Sequence, residues 1–155
     1  MRRKVNGPKA MVPVKHPRPK LEVHDKEGSS DAKAILKGLI EFNHRFGGNE
    51  NWRELTISIK DADGKVVAGL NGHTDWGWLF IKLLWVSDTC RGTGYGKELM
   101  ARAEKEAKRR RCGNIWLDTF GFQAPKFYRK LGYRKFGELK DYPKGYARYF
   151  FTKKI

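Results

Sequence analysis

The stretch CRGTGYGKELM, residues 90–100, places three glycines directly before a helical pattern of apolar residues. Each glycine inside a helix costs about 1 kcal/mol of helix stability relative to alanine. Three glycines at a helix start therefore indicate that the backbone there has a functional role. A helix N-terminus presents unpaired N–H groups and the positive end of the helix dipole, and glycine lets an anion approach them closely. The stretch therefore predicts a site for a phosphate group.

Three known phosphate-binding patterns can be compared with this stretch. A Walker A loop requires GxxxxGK[ST], but Arg91 stands in place of the first glycine and Glu98 in place of serine or threonine. The dinucleotide pattern GxGxxG fails as well, because no glycine stands three residues after Gly94 or Gly96. The third pattern, [RQ]-x-x-G-x-[GA], fits Arg91, Gly94 and Gly96.

Composition and length limit the classes of protein to which the chain can belong. Its 155 residues, 39% of them hydrophobic, suit a single folded domain. No apolar run reaches the roughly 18 residues of a membrane span, and the N-terminus lacks the apolar segment of a signal peptide. We therefore expect a cytoplasmic protein without a membrane partner. The two cysteines, Cys90 and Cys112, are too few for a disulfide framework or a metal cluster.

The formal net charge of +16 is spread unevenly along the chain. Residues 1–20 contain seven lysines and arginines, four of the six prolines and no acidic residue. Such a segment buries too little apolar surface to fold, so it predicts a disordered basic arm ahead of a single domain at 21–155. The positive surplus of that domain favours anionic ligands, among them nucleic acid, an acidic partner or a phosphorylated cofactor.

Hydrophobic periodicity predicts a mixed α/β domain with one sheet. Alternating or continuous apolar residues indicate strands, with a hairpin turn at Asp63-Gly64 between two of them. Spacings of three and four residues indicate helices, and Gly47 and Gly132 are placed to end two of them. The predicted strands are 21–26, 53–61, 65–74, 78–86, 115–120, 133–139 and 146–153, and the predicted helices are 29–46, 94–111 and 124–131.

The pattern at 91–96 resembles the acyl-CoA pyrophosphate loop of the GNAT-type N-acetyltransferases. The segment LWVSDTCRG, 84–92, is similar to the family's L-x-V-x-P-x-x-R-G, with Asp88 where proline is common. The segment APKFYRKLGY, 124–133, is similar to A-x-x-[FL]-Y-x-x-x-G-[FY]. The resemblance covers 21–155 and implies the GNAT fold, an α/β fold with about seven strands, helices on both faces and a splay between the fourth and fifth strands. It also implies acetyl-CoA as co-substrate and no metal.

The resemblance assigns most of the acetyl-CoA contacts to backbone groups. It implies that the fourth strand holds the pantetheine arm, that the loop and Lys97 hold the pyrophosphate, and that the segment 123–127 adds two side chains. The strand residues are Leu84, Trp85 and Val86, the loop residues are Arg91, Gly92, Thr93, Gly94, Tyr95 and Gly96, and the two side chains are Gln123 and Phe127. Gln123 would replace an asparagine that the family often places at position 121. The side chain of Trp85 is expected to lie in the core.

The resemblance further implies direct transfer of the acetyl group from the thioester to an amine. Tyr128 matches the family's general acid. A phenol with a pKa of about 10 is protonated at pH 7, as protonation of the leaving thiolate requires. Backbone N–H groups near Trp85 would stabilise the oxyanion.

A general base is harder to assign from the sequence. Deprotonating a lysine-like amine at pH 7 costs about 4.6 kcal/mol, and the strand 78–86, where many family members carry a carboxylate, contains none. The candidates elsewhere are His73, Asp75 and Asp118. A water relay, or an acceptor amine that is already partly neutral, is the alternative.

Several interpretations stay open at this point. Within the acetyltransferase hypothesis the acceptor is a small amine or a protein amine, bound near 29–52 and 136–149, and a homodimer is one expectation because family members are often dimers. A catalytically degenerate domain that binds acyl-CoA is the main alternative, motivated by the missing carboxylate. A basic module that binds nucleic acid through the arm and residues 108–111 is the third.

Overall fold

The computed structural model describes residues 19–155, and most of the predicted basic arm, residues 1–18, lies outside the described part. The chain divides into two compact units, the first ending at Ile40 and the second covering Glu41–Ile155. Residues 21–26 form no strand, so that prediction is wrong. Leu21 and Val23 are almost fully exposed, so the two apolar side chains of this segment pack against no sheet.

The elements otherwise follow the predicted order. Three α-helices and six strands are formed by residues 19–155, rather than about seven strands. They are α1 (Ser30–Gly47), β1 (Arg53–Lys60), β2 (Val66–Asp75), β3 (Trp78–Val86), α2 (Tyr95–Arg109), β4 (Asn114–Phe120), α3 (Pro125–Lys130), β5 (Arg134–Lys140) and β6 (Ala147–Lys154). The strands form one sheet in the order β1-β2-β3-β4-β6-β5. This confirms the mixed α/β fold.

The hairpin between β1 and β2 is closed by the turn that the sequence predicts. The Asp61 carboxylate accepts hydrogen bonds from the N–H groups of Asp63 and Lys65, at 3.0 and 2.9 Å. Gly64 adopts a φ of +79°, a conformation that glycine reaches without steric cost. The antiparallel ladder then continues from β2 to β3.

The core lies between the sheet and α2. The apolar stripe predicted for this helix is buried at Leu99, Met100, Ala103 and Ala107, and the helix contacts β1, β2 and β3. Alternate residues of the central strands, such as Leu79 and Ile81 in β3, face it and are almost fully buried. Burial of each large apolar side chain contributes about 1.5–3 kcal/mol, so this layer contributes strongly to the stability of the second unit.

An ionic link joins α2 to the other half of the sheet. The Glu104 carboxylate accepts hydrogen bonds from the Tyr133 hydroxyl at 3.1 Å and from Lys153 Nζ at 2.8 Å. Burial, with help from the charge of Glu104, raises the pKa of Tyr133 well above its usual range. The link therefore fixes α2 against β6 and against the residue that precedes β5.

The parallel pair β3–β4 is joined along only part of its length. Register pairs run from Trp78 with Asn114 to Ile81 with Leu117 and then stop. Both strands continue, β3 to Val86 and β4 to Phe120. The two strands therefore part at one end, which is the splay that the resemblance implies, and we call the gap between them the opening.

Candidate active site

A β-bulge in β3 stands at the point where the opening begins. Asn71 of β2 pairs with Leu83 and Gly72 pairs with Ile81, so Lys82 is an extra residue without a partner on β2. A Cβ atom at position 72 would overlap the carbonyl oxygen of Phe80. Glycine at this position therefore permits the close approach that the bulge requires, and bulges bend a strand away from its neighbour.

The bulge also reverses the faces of the residues that follow it. One extra residue moves each later side chain to the opposite side of the sheet. Leu84 and Val86 consequently pack against the core, whereas the Trp85 side chain is 51% exposed. The expectation that Trp85 lies in the core is wrong for this reason. The backbone of 84–86, predicted to hold pantetheine, lies along the opening.

The glycine-rich loop connects β3 to α2 through one turn of 3-10 helix, Asp88–Cys90. Gly92 and Gly94 adopt φ angles of +81° and +94°, and Gly94 begins α2 without a side-chain cap. The Thr93 hydroxyl donates a 2.6 Å hydrogen bond to the carbonyl of Cys90, which stabilises the turn. The loop therefore has glycine at two positions whose positive φ angles other residues adopt only with strain.

The loop and the first turn of α2 leave a row of N–H groups without a partner in residues 19–155. They belong to residues 92 and 94–97. The first intrahelical bond is donated by Glu98 N–H to Gly94 O. The Arg91 guanidinium lies 2.8 Å from Asp88 in an exposed ion pair, which is easily exchanged for a ligand because such pairs are weak. Five free donors at the positive end of a helix suit the pyrophosphate of coenzyme A.

Gly96 has a second role that the loop pattern did not suggest. A Cβ atom at this position would lie 3.4 Å from Cζ of Phe127 in α3. Phe127 is half-buried and packs against the core. The predicted cofactor residues Gly96 and Phe127 are therefore brought together, and the loop and α3 are in direct contact.

Tyr128 lies in α3 with its ring almost fully buried. Burial, and secondarily the negative charge of Asp118, raise the pKa of Tyr128 to about 12. Its hydroxyl forms no hydrogen bond within residues 19–155, and no buried side-chain nitrogen or oxygen there lacks a partner. The hydroxyl therefore reaches solvent from an apolar setting. A protonated phenol with one free side is what the predicted general acid requires.

Gln123 has a local role in the structure. Its amide oxygen accepts hydrogen bonds from Phe120 N–H at 2.9 Å and from the Thr119 hydroxyl at 3.1 Å. The side chain thus closes the turn between β4 and α3. Only its NH₂ group is left for the predicted contact with the cofactor.

Asp118 lies on β4 one residue beyond the last pair with β3, beside the opening as predicted. Its carboxylate accepts a 2.6 Å hydrogen bond from Arg148 Nε on the neighbouring strand β6. This ion pair with Asp118 raises the pKa of Arg148. The carboxylate is thus occupied by a charged partner on the next strand, which favours a structural role for Asp118 over that of general base.

His73 and Asp75 lie at different distances from the opening, which begins after Ile81. His73 pairs with Phe80, one position from that point, and Asp75 pairs with Trp78 at the closed end, three positions from it. The imidazole of His73 lies 3.7 Å from the Asp75 carboxylate. His73 therefore stays a candidate for the general base, whereas Asp75 stands at the closed end of the strand pair.

A cluster of aromatic rings beside the opening was not predicted as a unit. It is formed at the end of β4, in the next turn and in the loop before β6, and we call it the aromatic cluster. Its members are Phe120, Phe122, Tyr142 and Tyr146. The sequence signal was the density of aromatic residues between 120 and 150, but only the pairing of β4 with β6 shows that these rings meet.

No group of three or more histidine, cysteine, aspartate or glutamate side chains in residues 19–155 is arranged to hold a metal ion. None of the helices formed by these residues is long and apolar enough to span a membrane.

Comparison with known sequences places the chain in a family. Residues 27–133 match the profile of the Acetyltransferase (GNAT) family. Acetyltransferase Atu2258 of Agrobacterium fabrum is 39% identical over 107 residues, which cover 69% of this chain and 78% of that protein. Blasticidin-S acetyltransferase of Streptomyces morookaense is 41% identical over 93 residues, which cover 59% and 68%.

Comparison with solved structures supports the same family. A crystal structure of an acetyltransferase from Bacillus cereus superposes with a TM-score of 0.77 at 34% identity. The match covers 86% of this chain and 98% of that one. With the parted strands, the glycine loop at the start of α2 and the buried tyrosine in α3, the chain therefore belongs to the Acetyltransferase (GNAT) family and is an acetyltransferase.

Proposed function

We propose that the protein transfers an acetyl group from acetyl-CoA directly to a primary amine. The observation that carries the proposal is the arrangement around the opening. The unpaired end of β3 borders it, the free N–H groups of residues 92 and 94–97 follow directly, and α3 with Tyr128 contacts the same loop through Phe127 and Gly96. These three parts suit the arm, the pyrophosphate and the leaving thiolate of one extended molecule.

The donor would be bound mostly by backbone groups. The N–H row at the start of α2 supplies donors and the positive end of a 15-residue helix, and Lys97 in its first turn adds a full charge. The unpaired edge of β3 at 84–86 offers N–H and C=O groups to the amides of pantetheine. Binding of the donor by backbone groups depends on the conformation of the loop more than on the identity of its side chains.

The chemical step needs one proton donor on the enzyme. The amine nitrogen attacks the thioester carbon, the C–S bond breaks, and the thiolate takes the proton of the Tyr128 hydroxyl. Because the pKa of Tyr128 is about 12, the hydroxyl is fully protonated at neutral pH. The amine loses its proton to water, and the phenolate regains one from solvent.

A domain that binds acetyl-CoA without turnover is the second candidate. It is favoured by one observation, namely that the only carboxylate on β3, β4 and β6 is Asp118, which is held by Arg148. The two candidates share the donor site and differ in whether acetylated amine accumulates.

Isothermal titration calorimetry with acetyl-CoA tests the donor site. We expect binding by the wild type and its loss in Gly94→Asp, since a carboxylate and a strained φ would both disturb the N–H row. Gly77→Asp is the matched control, because it places the same side chain at a φ of +77° in the turn between β2 and β3, at the other end of β3 from the loop. Equal loss in both variants, or no binding by the wild type, would contradict the proposal. Mass spectrometry of amines incubated with acetyl-CoA then separates turnover from binding alone.

A further inference from the structure

We propose that the acceptor is an amine carried on a planar aromatic ring, and that the aromatic cluster beside the opening binds that ring. The inference rests on the proposed function and adds the class of acceptor. It is carried by the geometry of the rings, by their position and by the charges around them.

The rings form one continuous surface. Phe120 and Phe122 are stacked with centroids 5.3 Å apart and an interplanar angle of 5°. Tyr146 meets Phe122 edge-on at 5.0 Å, and Tyr142 meets Phe120 edge-on at 5.9 Å. Phe122, Tyr142 and Tyr146 each remain about half exposed, at 55%, 47% and 53%. Exposure of several adjoining rings to water is unfavourable, and such an apolar patch is typical of a ligand-binding site.

The cluster lies where an acceptor would have to lie. Phe120 is three residues beyond Leu117, the last residue of β4 that pairs with β3. On the other bordering strand, the exposed Trp85 is four residues beyond Ile81. Aromatic side chains thus stand on both strands of the opening, past the point at which they part. Asp118 of the same strand as Phe120 is also close enough to raise the pKa of Tyr128, which ties this region to the proposed acid.

Hydrogen bonds hold the loop that carries the two tyrosines. Tyr142 N–H donates to Tyr146 O at 2.9 Å, and Tyr146 N–H donates to Pro143 O at 2.9 Å. The Asp141 carboxylate accepts from Gly145 N–H at 2.7 Å. The rings are therefore held in place before a ligand arrives, which lowers the entropy lost on binding.

The charges disfavour a polycationic acceptor. Such an acceptor needs free carboxylates, but each acid of this region is engaged within the protein. Asp118 is bonded to Arg148, Glu138 to Lys135 at 2.7 Å, and Asp141 to the backbone of its own loop. The Arg148 guanidinium also fills the cation–π positions of two rings of the cluster, since it lies 5.3 Å from the centre of the Phe120 ring and 5.6 Å from that of Tyr142. The exposed faces of the rings remain, and these suit a planar, uncharged group.

Two amines of the same chain length provide the sharpest test. 2-Phenylethylamine and 2-cyclohexylethylamine differ in the flatness of the ring, and putrescine represents cationic acceptors. A stacking contact is worth roughly two- to twelvefold in affinity, so we expect kcat/KM to favour the phenyl compound by about fivefold and to be lowest for putrescine. Phe122→Leu and Tyr146→Leu should raise KM for the phenyl compound and bring the ratio near one. Phe136→Leu is the control, because Phe136 is 61% exposed on β5 and lies outside the cluster.

The outcomes separate this inference from the proposed function. Equal kcat/KM for the two ring amines, a preference for putrescine, or the same loss in Phe136→Leu would overturn the inference while leaving acetyl transfer intact. Failure to bind acetyl-CoA in calorimetry would instead overturn the proposed function. If acetyl-CoA binds but none of the three amines reacts, saturation-transfer NMR tests whether the protein binds the ring of 2-phenylethylamine. Transfer to the phenyl protons that is lost in Phe122→Leu supports the inference, and no transfer in the wild type overturns it.

Discussion

Arg148 Nε donates a 2.6 Å hydrogen bond to the carboxylate of Asp118, and the guanidinium lies 5.6 Å from the centre of the Tyr142 ring. The pair joins β6 to β4 at the edge of the opening, with only 14% of the Asp118 side chain exposed. It holds the two strands together where β4 has lost its other neighbour. This pairing favours a structural role for Asp118 at the edge of the opening.

The first prediction concerns this pair. Arg148→Met should lower the free energy of unfolding by about 2 kcal/mol, because it leaves the Asp118 carboxylate partly buried and without its partner. Urea unfolding of Arg148→Met, Asp118→Asn and the double variant gives the coupling energy. We expect a coupling of about 1 kcal/mol or more.

The same variants test the general base. Asp118→Asn should lower kcat by less than about tenfold, whereas removal of a true general base costs 10²–10⁴-fold. A loss in the larger range, with an unfolding free energy close to that of the wild type, would restore Asp118 as the base.

The second prediction concerns Tyr128. Tyr128→Phe should lower kcat by about 10²-fold or more and leave the Kd for acetyl-CoA within about twofold, because the hydroxyl acts only on the leaving thiolate. Its stability should change little, since the hydroxyl has no partner within residues 19–155. Steady-state kinetics and thermal unfolding of the same preparation check both statements, and an unchanged kcat would contradict the role.

The third prediction follows from the pKa of about 12 for Tyr128. An acid is active below its pKa, so the tyrosine stays protonated across pH 6–10 and imposes no alkaline decline there. With water as the base, as proposed, the rate follows the neutral fraction of the amine, so kcat/KM should rise about tenfold per pH unit until the pKa of the amine. A plateau or a decline beginning near pH 8 would reveal a second titrating group.

The fourth prediction concerns the bulge. Gly72→Ala should lower the free energy of unfolding by about 3 kcal/mol, because the new Cβ atom overlaps the backbone of Phe80 and one of the two paired strands has to shift. The control is Gly113→Ala, where a Cβ atom has nothing within 4 Å. Denaturant unfolding compares the two, and similar stabilities would mean that the bulge adapts to a side chain.

The fifth prediction concerns pH and stability. Hydrogen bonds from Arg109 and Arg110 lower the pKa of Glu106 to about 2. A lowered carboxyl pKa contributes stability above the unfolded value of about 4.5, and that contribution is lost as the pH falls towards 2. Glu106→Gln should therefore cost about 1 kcal/mol at pH 7, allowing for solvent screening, and close to nothing at pH 2. Unfolding free energies at both pH values test the sign, and an equal cost at both would contradict it.

Local signals predicted most of the elements correctly. The apolar run of β3 and the stripe of α2 are each fixed by neighbours within a few residues, so their bounds could be found from the sequence. The glycine loop was found for the same reason, since a helix N-terminus and its preceding turn are one local structure. The false strand at 21–26 shows the limit of such signals, because a strand also needs a partner.

The parts that were missed depend on pairing between distant segments. The bulge at Lys82 requires Gly72 on another strand, and the sequence shows β3 only as an unbroken run of apolar residues. The exposure of Trp85 follows from that bulge. The positions of His73 and Asp75 relative to the opening have the same origin, since only the register of β2 on β3 tells which residues of β3 they face.

The contact between Gly96 and Phe127 limits the distance between two parts of the candidate site. The loop that would bind the phosphates packs against the helix that carries Tyr128, and a Cβ atom at position 96 would lie 3.4 Å from Cζ of Phe127. Alanine would just fill that space, whereas valine would push α3 outward and carry the Tyr128 hydroxyl with it. Under the proposed function, the absence of a side chain at position 96 would therefore set the spacing between the loop for the phosphates and the hydroxyl for the sulfur of acetyl-CoA.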